Sequence, residues 1–399
     1  MFKGLSLDQA PPFEAPLLFF LGGILFAVFG SLAVLFGLID FGTLHLFTLG
    51  FLASVMVGAL QQMLPVVVGV RFDRPKLLSI AVAVPFYLGV LGFFFSLSFG
   101  KNLSLPSAIL LLMALGGFGI VTLTKLFKAP RLSPTVLAMR MSVASLLVTV
   151  ALGVHMLMAL HSAHGLSDTF ARIHALFALF GWIGFLIVGV SYQVIPMFYV
   201  TNELDEKKRS LLTWGLFVTL LLNVGGVLVA KGAGIALFVA LLLLFTLFAL
   251  LTIWQLRARK RAIMEPSIGF WYVGLGWLSL LPLLFWLGGQ KFVALYLLGF
   301  AGSIICAMLY KIIPFLSWFH ISSWGFFDMP TMREMIDERL AFAHLFLHAS
   351  ASVMLLFSFQ GAAALLLAGF VMLFLNLLRP IRIYFAYKAK PSPFGKMRT

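Results

Sequence analysis

The stretch Tyr192-Gln193-Val194-Ile195-Pro196-Met197-Phe198 sets a polar pair and a helix-bending proline deep inside an apolar run. Two other stretches are built the same way, Gln61-Gln62-Met63-Leu64-Pro65-Val66-Val67 and Tyr310-Lys311-Ile312-Ile313-Pro314-Phe315-Leu316. A glycine stands fifteen positions before each proline (Gly50, Gly181, Gly299), and an aromatic residue follows each glycine (Phe51, Trp182, Phe300). A small residue stands seven before each proline (Gly58, Gly189, Ala307). Small residues and prolines are common in membrane helices. Three copies at one internal spacing are read as a repeat.

The surroundings say what is being repeated. The chain is 62% hydrophobic and 10% charged, with a mean hydropathy of +1.09, which excludes a soluble globular domain. A helix crosses the hydrocarbon core with about 20 apolar residues, and backbone groups in lipid must pair internally. The apolar runs are too long for the alternating segments of a membrane barrel. Twelve spans are predicted, at 14–38, 43–66, 77–99, 105–127, 135–160, 170–199, 210–230, 233–256, 267–287, 291–318, 338–360 and 362–386. The motif falls on the second, sixth and tenth, so the unit is four helices long, with units near 1–132, 133–263 and 264–399. Four is even, so successive units share one orientation. They are parallel repeats about an axis along the membrane normal, not inverted ones. The expected fold class is therefore an all-α integral membrane protein of twelve helices in three parallel four-helix repeats, pseudo-threefold, in a single polytopic domain. No cleavable signal is expected, because no small-residue cleavage site follows the long first run.

The net charge of +15 would indicate nucleic acid in a soluble protein. Here its distribution gives topology. Arg71, Arg74 and Lys76 share one loop, and Lys125, Lys128 and Arg131 the next but one. Lys207-Lys208-Arg209, then Arg257, Arg259, Lys260 and Arg261, then Arg333 and Arg339, and the tail from Arg379 to Arg398 continue the series. The alternate loops hold only Lys101, Arg172, Lys231 and Lys291. This positive-inside pattern places both termini in the cytoplasm, and the basic loops meet anionic lipid rather than nucleic acid. Cys306 is the only cysteine. It allows no disulfide within the chain and no cysteine-based metal site, and it is read as a packing residue.

The eight histidines fall into two sets. His45 and His174 lie near the outer ends of the second and sixth spans, five and seven positions before their repeat glycines. His155 is near the outer end of span five, and His161 and His164 are in the loop that follows. Neutral imidazole is an axial ligand for haem iron, and two opposed helices clamp a porphyrin with one ligand each. Ionisable groups inside spans face the bundle interior and mark function. His45 and His174 are therefore the first candidate haem ligands and His155 the substitute. On the inner side, His344 and His348 are four apart and share one helix face. They are candidate ligands of haem or a metal, either sharing a metal or with one as ligand and a propionate or hydrogen-bonding partner, and His320, which closes the neighbouring span, is a candidate for the same place. The segment between, 328–340, opens with Asp328 and Pro330, a helix-start signature running into span eleven. Gln62, Tyr192, Gln193, Tyr310 and Lys311 are read as lining a polar cavity beneath the prolines, with Lys311 snorkelling inward.

With twelve helices in three parallel groups of four and a histidine near the outer end of span two, the chain resembles the haem-copper oxidase subunit I superfamily. The short chain is most similar to its stand-alone, NnrS-like members. The stretches that carry this run from His45 to Gly69, from His174 to Phe198 and from Leu309 to His320. The resemblance implies one or two haems b, with copper in doubt. It also implies a prokaryotic cytoplasmic (inner) membrane and chemistry on dioxygen, nitric oxide or electrons, with quinol or a partner protein as donor. His45 matches the span-two ligand of the electron-transferring haem, and His174 matches the span-six copper ligand in span and rough depth only. The departures are as informative. Span seven has no histidine pair, and the outer half of span ten has no histidine. The usual binuclear centre cannot be built, so oxygen reduction with proton pumping is not expected. Two readings compete with a haem protein. One is a haem- or metal-handling transporter that kept the fold. The other is an oxidase assembly factor with structural histidines. A homo-oligomer is compatible with all three.

Overall fold

The computed structural model describes residues 11–162, 165–229, 234–391 and 393. His164 and Lys231 lie outside them. The described chain is helical, with no strand among the described residues. Its long helices are α1 (Glu14–Leu35), α2 (Phe41–Val68), α3 (Pro75–Phe99), α4 (Ser104–Phe127), α5 (Pro134–His161), α6 (Asp168–Tyr199), α7 (Glu206–Val229), α8 (Gly234–Arg257), α9 (Pro266–Leu287), α10 (Gly289–Ser323), α11 (Glu338–Met354) and α12 (Phe359–Ala389). Eleven of them are long and apolar enough to cross a membrane. The protein is a multi-pass membrane protein, and residues such as Leu25, Ile80, Leu88, Leu250 and Trp254 form the apolar exterior that lipid contacts.

Nine helices form a closed ring in the order α1, α3, α4, α5, α7, α8, α9, α11, α12 and back to α1. The other three, α2, α6 and α10, fill its centre. Their most apolar stretches are 83%, 72% and 89% buried, against 22–56% in the other candidate spans. Glu14 at the start of α1 forms an ion pair with Lys388 near the end of α12. Both ends of the described chain therefore lie on one face of the bundle, here the terminal face. The opposite side is the far face.

The three central helices contact their neighbours in a common way. A Cβ on Gly50 would fall 2.7 Å from Phe26 of α1, on Gly181 2.6 Å from Ser145 of α5, and on Gly299 3.1 Å from Trp277 of α9. Each glycine thus admits the helix before it in the chain. Around each glycine the backbone widens into an eight-residue π-helical stretch, Leu46–Ala53, Phe177–Gly184 and Leu295–Gly302, with the glycine fifth every time. A π turn breaks the regular ladder and turns carbonyls toward outside partners. Neighbouring side chains supply them: Tyr296 donates to the Leu179 carbonyl (2.8 Å) and Ser142 to that of Trp182 (2.7 Å). The residue four before each proline turns instead to the helix that follows. Gln61 accepts from Ser79 of α3, Tyr192 lies 3.3 Å from Thr213 of α7, and Tyr310 meets His344 of α11.

Several boundaries differ from expectation. Helix α10 runs to Ser323, five residues further than hydropathy predicts, because the hydroxyls of Ser322 and Ser323 bond back to carbonyls of its own last turns. Helix α11 ends at Met354 instead of 360. Its 17 residues span about 25 Å, short of a hydrocarbon core of about 30 Å. The carbonyl just beyond its end, on Leu356, accepts from Lys291 (2.8 Å). The helix-start signature at Asp328 is not used. Residues 328–337 are turns, and α11 begins after Asp337, whose carboxylate caps the amides of Arg339 and Leu340 (2.9 and 3.2 Å). Asn376 of α12 fixes that cap by bonding both the amide and the carbonyl of Asp337 (both 2.9 Å). Pro196 and Pro314 lie inside continuous α-helix, and Pro65 lies in a short π stretch, Leu64–Val68.

Candidate functional site

At the far face, α2 and α6 bring His45 and His174 together, with ring centres 6.4 Å apart and planes inclined by 34°. Asp40 caps the start of α2 by accepting from Thr43 (2.8 Å), which fixes the turn that carries His45. The Nδ1–H of His45 donates to the Phe41 carbonyl one turn earlier (2.7 Å), and that of His174 to the Thr149 carbonyl of α5 (3.0 Å). Carbonyls only accept, so both protons are placed on Nδ1 and both Nε2 atoms present lone pairs. This is the arrangement in which a second bond fixes the tautomer and orientation of a ligating imidazole. Phe93 packs 4.6 Å from the His45 ring, and Gly153 leaves room for His174, since a Cβ there would lie 3.2 Å from its Cε1. Both rings are partly exposed.

His155 does not join them. It is exposed, edge-on to Phe170 at 5.1 Å, two residues beyond the glycine that faces His174. His161 is exposed at the end of α5.

A second group sits halfway along α10. Cys306, His344 and His348 each offer a ligand atom, and these atoms lie within 4.8 Å of one another. All three side chains are buried (0–1% exposed). The Nε2–H of His348 donates to the Leu298 carbonyl, one of the carbonyls of the π stretch, and lies 3.0 Å from Ser303 Oγ. His344 Nδ1 shares a hydrogen bond with the Tyr310 hydroxyl (3.1 Å). His348 Nδ1 and His344 Nε2 have no partner. Phe270 lies 4.8 and 5.4 Å from the two rings, and Gly369 of α12 passes beside His344.

This group bears on two expectations. Cys306, read as a packing residue, is buried beside two histidines from another helix, 38 and 42 positions on, and the three together could hold a metal ion. The histidines, expected on the inner side, lie level with the middle of α10, beside Cys306. His320 is elsewhere. Its ring neighbours are Phe13, Phe319, Trp324 and Tyr384 at the terminal face, and it is fourteen residues, about 21 Å of helix, from Cys306.

The hydrogen bonds of the polar motif residues go to separate helices. Tyr192 is buried against α7, and Gln62 is buried with its Oε1 unpartnered. Gln193 is half-buried. Lys311 forms an ion pair with Glu265 just before α9 and lies over the Tyr199 ring (5.4 Å). No family model matches the chain, and no curated protein matches it.

Proposed function

We propose that the protein is a membrane-embedded haem b protein of the haem-copper oxidase-like fold that carries electrons through a bis-histidine haem, without a haem-copper centre. The observation that carries this reading is the closeness of His45 and His174 on two central helices. Two imidazoles on opposite sides of one metal, each about 2.0 Å from it, have ring centres about 6 Å apart. The observed separation is 6.4 Å. Both Nδ1 atoms are already committed to carbonyls. The residues present therefore fit an axial pair, and His155 is not needed for it.

When bound, haem supplies a one-electron ferric–ferrous couple. The protein's part is to hold the two imidazoles in fixed orientation. The Phe41 and Thr149 carbonyls do this through Nδ1, and Phe93 packs against the His45 ring. Were both His45 and His174 to hold the haem, neither would leave it free to take up a gas. Such an arrangement favours electron transfer over turnover of nitric oxide or dioxygen.

The pseudo-threefold reading supports the fold assignment. The matching π stretches, the glycines that each admit the preceding helix, and the polar residue that each time meets the following helix recur on α2, α6 and α10. The alternating loop charge supports cytoplasmic termini. The resemblance adds the cytoplasmic membrane of a prokaryote.

The test is a reduced-minus-oxidised optical spectrum of the purified protein. A sharp b-type α band is expected, lost in His45→Ala and in His174→Ala and kept in His155→Ala. A well-folded preparation without haem would overturn the reading in favour of a metal-handling or assembly role. A band that survives in both variants would overturn the ligand pair.

A further inference from the structure

We propose that Cys306, His344 and His348 form a second, independent site, for a single copper(I) ion at the middle of the membrane. Three observations converge there. The three ligand atoms lie within 4.8 Å of one another, so a shift of about an ångström brings them round one ion of 2.0–2.3 Å bond lengths. Each histidine keeps one nitrogen bonded and one free: His348 through Leu298 and Ser303, His344 through Tyr310. The free nitrogens are buried and unsatisfied, which a folded protein tolerates only rarely without a ligand or water to meet them. The bonded nitrogens supply the outer support that ligating imidazoles ordinarily have.

The choice of ion follows from softness, coordination number and charge. Thiolate with imidazole selects copper(I) or zinc(II) over hard cations. The described structure brings three ligands, with no fourth histidine, cysteine or carboxylate in the group. Copper(I) accepts three-coordination, whereas structural zinc is almost always tetrahedral. Binding releases the Cys306 thiol proton, because the thiolate is the ligand. The site then carries one negative charge from sulfur and one positive from copper(I), and so is neutral. Zinc(II) would leave a net positive charge among Phe270, Phe370 and the surrounding apolar side chains, and an uncompensated charge there is expensive. This set shares no residue with the proposed haem site, and it is not the histidine-only copper site of the respiratory oxidases.

The purified full-length protein is treated anaerobically with copper(I) against a competing copper(I) chelator, and bound copper is counted per chain. The wild type is expected to hold one copper that Cys306→Ser and His348→Gln do not hold. X-ray absorption should show one sulfur and two nitrogen neighbours. His320→Gln should keep the full complement. Tyr310→Phe should bind about tenfold more weakly, as expected for a support of a ligand. In case the ligand variants fold poorly, wild-type protein stripped by the chelator should take up one copper again. Three results would each overturn the site: no rebinding, copper retained undiminished in folded Cys306→Ser, or zinc(II) held in preference to copper(I). The α band is read on the same samples. Copper bound without haem sinks the haem reading and leaves this site standing, and haem without copper does the reverse.

Discussion

His45 with His174 and His344 with His348 are both pairs of imidazoles in a membrane protein, yet the helices treat them differently. The far-face pair comes from two central helices, α2 and α6, and its rings are partly exposed. His45 is held by its own helix and His174 by the α5 backbone. The central pair comes from one helix, α11, is fully buried, and is bonded to α10 through Leu298, Ser303 and Tyr310. One pair is presented by the fold. The other is part of what joins a peripheral helix to the core. That predicts opposite consequences of mutation: function without stability at the far face, and both together at the centre.

The largest effect should come from His348→Ala. It removes a buried ring, leaves the Leu298 carbonyl without its donor, and opens a void between α10 and α11. Large-to-small changes of this kind cost about 2–5 kcal/mol, and a buried group left unpaired adds to that. His45→Ala removes a ring bonded within its own helix and should cost less than about 1 kcal/mol. Both are read by thermal unfolding of metal-free, haem-free protein in detergent. Equal losses would erase the distinction.

Tyr310→Phe comes next. It deletes a hydroxyl that shares a buried hydrogen bond with His344, so about 1 kcal/mol is expected. At the matching position of the second central helix, Tyr192→Phe should cost about half of that, because both of the Tyr192 contacts are long, at 3.3 Å. Unfolding midpoints of the two variants, side by side, check this. A larger loss in Tyr192→Phe would place the stronger tie at α7 rather than α11.

Pro196→Ala sharpens the account of the motif itself. The sequence reading makes each motif proline a bend. In the structure Pro196 is three residues from the end of α6, in unbroken helix and half-buried. Alanine there restores one backbone donor and removes little packing, so a change within about 1 kcal/mol is expected. An unfolding midpoint lowered well beyond that would restore the bend to a structural role.

These cases show which information the linear order carries. Spans were legible because lipid imposes a length and a hydropathy on every crossing helix, and the boundaries of α3, α4 and α5 agree with the structure to within two residues. The place of His45 and His174 was legible because span and depth follow from counting. The end of α11 was not, because Leu355, Leu356 and Phe357 are apolar enough to continue a helix and only the Lys291 contact and the Ser358 cap show the turn. The proximity of Cys306 to the two histidines was not legible for a similar reason. Its spacing from Tyr310, four positions, put both on one face of α10, and the four-residue spacing of His344 and His348 did the same on α11. That the two faces meet depends on how α11 is set against α10 and α12, and its start is fixed by a tertiary contact between Asp337 and Asn376.

The smallest stability effect, and the most specific one, is expected at Gly153. A Cβ there would lie 3.2 Å from His174 Cε1, close enough to tilt the ring but not to exclude it. Alanine also gains up to about 1 kcal/mol of helix propensity over glycine, which offsets part of the crowding. Gly153→Ala should therefore leave the unfolding midpoint within about 0.5 kcal/mol of wild type. If haem is bound as proposed, the tilt changes the angle between the two imidazole planes. The low-spin electron paramagnetic resonance signal should then shift with no loss of haem content. The proposed copper site, on other helices, should be untouched. A variant that loses haem outright would show that the far-face pair tolerates no displacement. An unchanged signal would show that the ring is free to turn and that the Thr149 carbonyl does not hold it, against the presentation argued for this region.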